Sequence, residues 1–239
     1  MRCRGILEIF AVLAGLLILL WGLAITFDIK NNPLQIVGFH YGEQVTDLSG
    51  DKSKRCSLPE PCPPESFPFH IWSGAANVVG PKICFDGKVI MSHVLNNVGS
   101  GINIVVIDGE SGAVEKFGFL NMEHGDQNHI VQYLKAIKPG SIVLVGSFID
   151  LAPRLTDEVK EIFEGMGSGM IKTIKSKDGW VFAGKAGAGE KSLFEKVSVN
   201  DKETNIYDEW PRAVEIGGCF PKTLPTEDDP KTSGEKEKI

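Results

Sequence analysis

The sequence predicts a mostly-β domain of the α+β class. Seven short apolar runs bounded by turn residues read as strands, and only two segments combine a helical period with a cap and a stop. The 27 glycines, against 3 tyrosines, supply the turns that many short strands need. Of the 239 residues, 42% are hydrophobic and 23% charged, so most of the chain can bury a core. The formal charge of −6 argues against a nucleic-acid partner, which would call for a strongly basic footprint. The absence of a fixed-period repeat excludes solenoids and propellers.

The N-terminus sets the expected compartment. Arg2 and Arg4 precede an apolar run from Ile9 to Phe27, which ends at Asp28 and Lys30. A run of this length is close to the roughly 20 residues that cross a hydrocarbon core. It is also a long signal-peptide core, with Gly22-Leu23-Ala24 offering a small-x-small cleavage pattern. The lack of a strong basic stop-transfer cluster favours cleavage over a signal anchor, so residues 1–24 are expected to be a signal peptide. The mature chain would then carry a charge of −7 and be secreted through the ER and Golgi, touching a membrane only if the segment stays uncleaved. Residues 25–55 are polar and aperiodic and read as a linker or stalk. Five prolines between Pro59 and Pro68 exclude a helix interior or a central strand there.

Strands are expected at Phe67–Trp72, Lys82–Phe85, Lys88–Met91, Ile102–Ile107, Ala113–Leu120, Ser141–Phe148 and Trp180–Ala183. Asp86-Gly87 joins one hairpin. Asp108-Gly109-Glu110-Ser111-Gly112 joins another, with both glycines free to take positive φ. Asp126 can cap a first helix that turns Ile130, Val131, Leu134 and Ile137 to one side before Pro139-Gly140. Thr156 can cap a second, with Val159, Ile162, Phe163 and Met166 inward, Gly165 and Gly167 near its end, and Asp157 and Glu158 complementing its dipole. Residues 225–239 are charged and Pro-bearing and read as a disordered acidic tail.

In an oxidising lumen the four cysteines beyond Cys3, namely Cys56, Cys62, Cys84 and Cys219, imply two disulfides with three possible connectivities. A zinc site is disfavoured because Cys56 and Cys62 are too widely spaced for a usual ligand pair. The run Gly184 to Ser192 imitates a phosphate loop. Glu190 stands where that motif needs glycine, and its charge would repel phosphate, so a flexible inter-strand loop is the reading. Gly167-Ser168-Gly169 is no nucleophile elbow, because Met166 occupies the first glycine position. His40, His70, His93, His124 and His129 show no metal-ligand spacing, and Asp86, Asp108, Asp126 and Asp150 sit at element ends where turn and cap duties explain them. Nothing pairs a nucleophile with a base. No catalytic, metal-binding or cofactor-binding residues are assigned, and no cofactor is expected.

The stretch Ser73–Cys84, with Asn96-Asn97-Val98-Gly99, Gly101-Ile102-Asn103-Ile104, Trp180-Val181-Phe182, Glu209-Trp210-Pro211 and Gly218-Cys219, resembles the interleukin-like EMT inducer (pancreatic-derived factor) family of secreted cytokine-like proteins. The resemblance spans residues from about 56 to 224. It implies two antiparallel sheets packed as a sandwich with short flanking helices, and the pairings Cys56–Cys84 and Cys62–Cys219. It also implies a non-enzymatic protein that binds a cell-surface receptor. Related GG-type lectin domains bind sugars in a glycosyltransferase stem, so a carbohydrate-binding module is the alternative. The unpaired cysteine that supports covalent dimers in the family's cytokine is Ala183 here, so no covalent dimer is expected. The polar positions of the lectin pocket fall on Ser100, Ile149 and Lys177, with Asp150 able to replace the acid lost at Ile149 and Trp180 able to offer a ring to a sugar. These substitutions replace an arginine fork by a serine or a lysine point charge, which implies weak sugar binding.

Overall fold

A computed structural model describes His40–Tyr41 and residues 56–222. The expected signal segment and acidic tail lie outside the described residues, as does the linker apart from His40–Tyr41. The strands are β1 (His40–Tyr41), β2 (Ser66–Trp72), β3 (Lys82–Phe85), β4 (Lys88–Met91), β5 (Gly101–Ile107), β6 (Val114–Leu120), β7 (Ile142–Phe148), β8 (Gly179–Lys185), β9 (Phe194–Ser198) and β10 (Glu215–Pro221). Two helices, α1 (Gln127–Lys135) and α2 (Asp157–Gly165), follow β6 and β7. The strands form two wholly antiparallel sheets, one ordered β1-β6-β5-β7-β8-β9 and the other β10-β2-β3-β4.

The sheets face each other across an apolar interior. Phe67, Phe69, Ile71, Ile83, Phe85, Met91, Ile216 and Phe220 of the smaller sheet meet Val105, Ile107, Ile142, Leu144, Val181 and Ala183 of the larger. Strands β5 and β7 are near-continuous apolar runs, the pattern of strands covered on both faces. All seven residues of β5 are buried, as are the first six of β7. On the other side of the larger sheet, Phe163 of α2 stands edge-on to Trp180 at 5.2 Å and to Phe182 at 6.2 Å.

The caps form where the sequence places them. The Asp126 carboxylate accepts from His129 N–H at 2.9 Å, and the Thr156 hydroxyl accepts from Val159 N–H at 3.5 Å. Gly167 ends α2 at φ +100°, with its N–H on Glu164 C=O and the Ser168 N–H on Phe163 C=O. Three details differ from expectation. Ile162 is half-buried rather than inward, and Ile137 is buried but lies beyond α1. In the β5–β6 turn only Gly112 takes positive φ (+73°), where a Cβ would strike the Phe67 ring at 2.4 Å.

Two disulfides fasten the segment 56–65 to the outer face of the smaller sheet. Cys56 is bonded to Cys84 on β3, and Cys62 to Cys219 on β10, the pairings that the resemblance implies. His70 on β2 lies under this strap, its Nδ1 3.1 Å from the Cys56 carbonyl and its Nε2 3.3 Å from Glu215.

Candidate functional site

The register of the larger sheet gathers most of the sequence-predicted pocket positions at one end. Gly101 pairs with Phe148 and Gly146 with Val181, so the residues before β5, after β7 and before β8 share an edge. Ser100, Ile149, Asp150 and Lys177 occupy those places. Ile149 (φ +59°) and Lys177 (φ +64°) hold left-handed backbone conformations that non-glycine residues rarely adopt. Between them lies a shallow depression, open to solvent and with room for only about 10 Å³, which Gly74, Trp210 and Arg212 also line.

Each predicted polar group already has a partner. The Ser100 hydroxyl donates to the Glu123 carboxylate. The Asp150 carboxylate accepts from Ala152 N–H at 2.9 Å and from the Ser176 hydroxyl. The Lys177 ammonium donates to Glu209 and lies 5.0 Å from the Trp210 ring centre. That hydrogen bond, and then the lysine's charge, hold Glu209 below the usual carboxylate value. Ser100 and Asp150 are outside the lining of the depression.

Trp180 is placed elsewhere. Its side chain is fully buried against Phe163 and Phe182 and offers no face at the surface; its indole N–H donates to Glu195 at 2.9 Å. The reason is strand parity: Trp180 and Phe182 point to the helix side of β8, Val181 and Ala183 to the sheet interface. Apolar residues at both parities already signal a strand covered on both faces. The aromatic rings at the depression are Phe148 and Trp210, and the Glu209-Trp210-Pro211 context of the latter is legible in the sequence but carries no signal of its position.

The remaining motifs have structural roles. Ser168 donates to Glu195 and accepts from Ile171 N–H at 3.1 Å, and the same carboxylate accepts from Gly169 and Met170 N–H at 2.7 and 3.1 Å. Glu195 thus ties the loop after α2 to β9, a role that no sequence pattern marks. The Gly184–Ser192 run is the end of β8 and its connection to β9. Asn103 of the Gly101-Ile102-Asn103-Ile104 run is buried, and its amide accepts from the N–H (2.9 Å) and donates to the C=O (2.8 Å) of Gly99. A second, larger cavity of about 270 Å³, open to solvent, lies beside the strap; Pro61, Pro63, Pro64, Phe67 and Lys222 line part of it. Lys222 donates to the Pro64 carbonyl at 2.9 Å and sits 5.1 Å from the Phe67 ring centre. Among the described residues, no group of three or more His, Cys, Asp or Glu side chains could hold a metal ion.

Fold and site together define a small disulfide-stapled β-sandwich whose rim residues are committed to one another. Residues 100–188 match the family model described as Interleukin-like EMT inducer. The chain is 37% identical to Protein FAM3C of Homo sapiens over 226 residues, 93% of this chain and 99% of that one. It is 42% identical to Protein FAM3A of Mus musculus over 74% of this chain and 77% of the relative. Identity to human Protein FAM3D is 36%, over 92% of this chain and 98% of the relative. The chain belongs to the interleukin-like EMT inducer (FAM3) family, a cytokine-like family.

Proposed function

We propose that this protein is a secreted, cytokine-like signal that acts without catalysis by binding a cell-surface protein. The observation that carries the reading is the self-satisfaction of the candidate pocket. Lys177, the predicted polar group that lines the depression, is bound to Glu209, so a small ligand there would have to displace that carboxylate before being held, while Ser100 and Asp150, outside the lining, bond to Glu123 and Ser176. A partner that buries a broad surface meets no such competition. The two disulfides suit an oxidising compartment.

Carbohydrate binding is the second reading, favoured by the gathering of Ile149, Lys177, Trp210 and Arg212 around one depression. Titrating tagged protein on intact cells before and after enzymatic deglycosylation separates the two. Saturable binding that survives deglycosylation is the expected result. Binding lost with the glycans would put the lectin reading first.

A further inference from the structure

We propose that the Cys62–Cys219 disulfide is a reducible site, opened in the folded protein by a dithiol protein of the thioredoxin or disulfide-isomerase class, while Cys56–Cys84 stays closed. The inference goes beyond the cell-surface reading above and stands or falls without it.

The two bonds sit in unlike surroundings. Cys56 and Cys84 are only 5% and 3% exposed. Cys84 lies on β3, which is hydrogen-bonded along both edges, to β2 and to β4. Cys62 and Cys219 are both half-buried, and Cys219 lies on β10, an edge strand whose only ladder is with β2. Cys62 also lines the open cavity of about 270 Å³ beside the strap, whereas Cys56 and Cys84 are not part of that lining. An attacking thiolate needs a path to a sulfur, and accessible disulfides are the labile and regulatory ones. The cavity offers that path at Cys62.

The chain around Cys62 can enter a reductant's groove. Every residue from Pro59 to Glu65 except Cys62 itself is exposed. Pro61 and Pro63 carry no N–H, and residues 58–65 belong to no strand, so the bond is reached without breaking a ladder. Opening it leaves the fold its other ties. β10 keeps its seven-residue register with β2, Ile216 and Phe220 stay in the core, and Cys56–Cys84 still anchors the start of the strap. What is released is the rest of the strap, whose Leu58 packs over Gly217 of β10; a Cβ on Gly217 would stand 2.8 Å from the Leu58 side chain.

The reaction is a two-step exchange. The reductant's thiolate attacks the Cys62 sulfur, the Cys62–Cys219 bond breaks, and Cys219 leaves as a thiolate that takes up a proton. The reductant's second thiol loses its proton and attacks the mixed disulfide, which closes the reductant's own disulfide and releases Cys62 to be protonated in turn. Two electrons and two protons thus pass from the dithiol to the cysteine pair. Charge narrows the reagent. Glu60 and Asp86 bring two carboxylates to the cavity lining against one ammonium, Lys222, which already donates to the Pro64 carbonyl. An anionic small thiol such as glutathione is therefore the poorer reagent.

Secreted full-length protein, incubated without denaturant with a thioredoxin-type dithiol protein, quenched early by alkylation and mapped by peptide mass, tests this. Molecules with one bond opened should carry the label on Cys62 and Cys219 at least about tenfold more often than on Cys56 and Cys84. A reductant lacking its second cysteine should be trapped on Cys62, and the singly reduced product should keep its circular dichroism. No opening without denaturant, Cys56–Cys84 opening first, or both bonds opening together with no singly reduced product overturns the inference. So does a singly reduced product that has unfolded, or trapping on Cys219 alone. Glutathione that opens the bond as fast at equal thiolate concentration overturns the choice of reductant. None of these results bears on the cell-surface reading, which the deglycosylation experiment tests separately.

Discussion

In the larger sheet, β5 and β7 are covered on both sides, by the facing sheet and by the layer that contains α2. The smaller sheet buries one face just as well, with Phe69, Ile71, Ile83 and Met91 fully buried. Its other face is covered by the Pro-rich strap 56–65, which has few apolar side chains to bury and no hydrogen-bonded ladder of its own. Each disulfide ties that strap to a different strand. Hydrophobic burial holds a layer wherever a helix or sheet can supply an apolar face; where the covering segment cannot, covalent links take over.

The largest test of that contrast is the disulfides. In the chain-entropy picture a cross-link stabilises more as its loop lengthens, by about 5 kcal/mol for Cys62–Cys219 (sequence separation 157) and about 4 kcal/mol for Cys56–Cys84 (sequence separation 28). Denaturant unfolding of C62A/C219A and C56A/C84A should rank them in that order. Equal losses would show that both act through the strap alone. In the larger sheet the corresponding test is Phe163→Ala, which removes a fully buried ring from Trp180 and Phe182 and should cost about 3–5 kcal/mol. A cost below about 1 kcal/mol would mean that α2 is not what secures that face.

The smallest expected effect concerns acid. The Ser111 hydroxyl and N–H hold the Asp108 carboxyl below its ordinary value, and the His129 N–H does the same for Asp126. Both residues belong to the turn and helix attached to the larger sheet. A carboxyl depressed in the folded state stabilises it at pH values above the unfolded value, and that contribution is lost as pH falls through the folded value. Stability should therefore decline in acid, and D108N/D126N should flatten the decline, because Asn still caps while no longer titrating. An unchanged acid slope would place the acid-sensitive groups elsewhere, the smaller sheet included.

The strands legible in the sequence are those whose own residues decide them. β2 to β8 have β-branched or aromatic runs between clear turns, and both helices have caps that form as read. β9 and β10 were invisible. Phe194-Glu195-Lys196-Val197-Ser198 is an edge strand with no continuous apolar face, and Glu215–Pro221 contains Gly217, Gly218 and Pro221, poor strand formers. β10 exists because β2 offers a seven-residue ladder and Cys62 a covalent anchor, which is tertiary context overriding local preference. The pocket was half legible for a related reason. Positions at strand ends can be placed by register, but which parity faces solvent depends on what covers the sheet, and that decided Trp180 against the surface.

The Cys62–Cys219 link also has a consequence in time. At about 5–20 residues per second of synthesis, Cys219 follows Cys62 by roughly 8–30 s. Three of the five pairings in the larger sheet join strands consecutive in the sequence, β5–β6, β7–β8 and β8–β9, and these can form as they emerge. β2, however, waits for β10 with one edge unpaired, and the Cys62 thiol in the strap waits with it. Among the described strands β10 comes last, so the smaller sheet and its second disulfide can be completed only after all the others have been made.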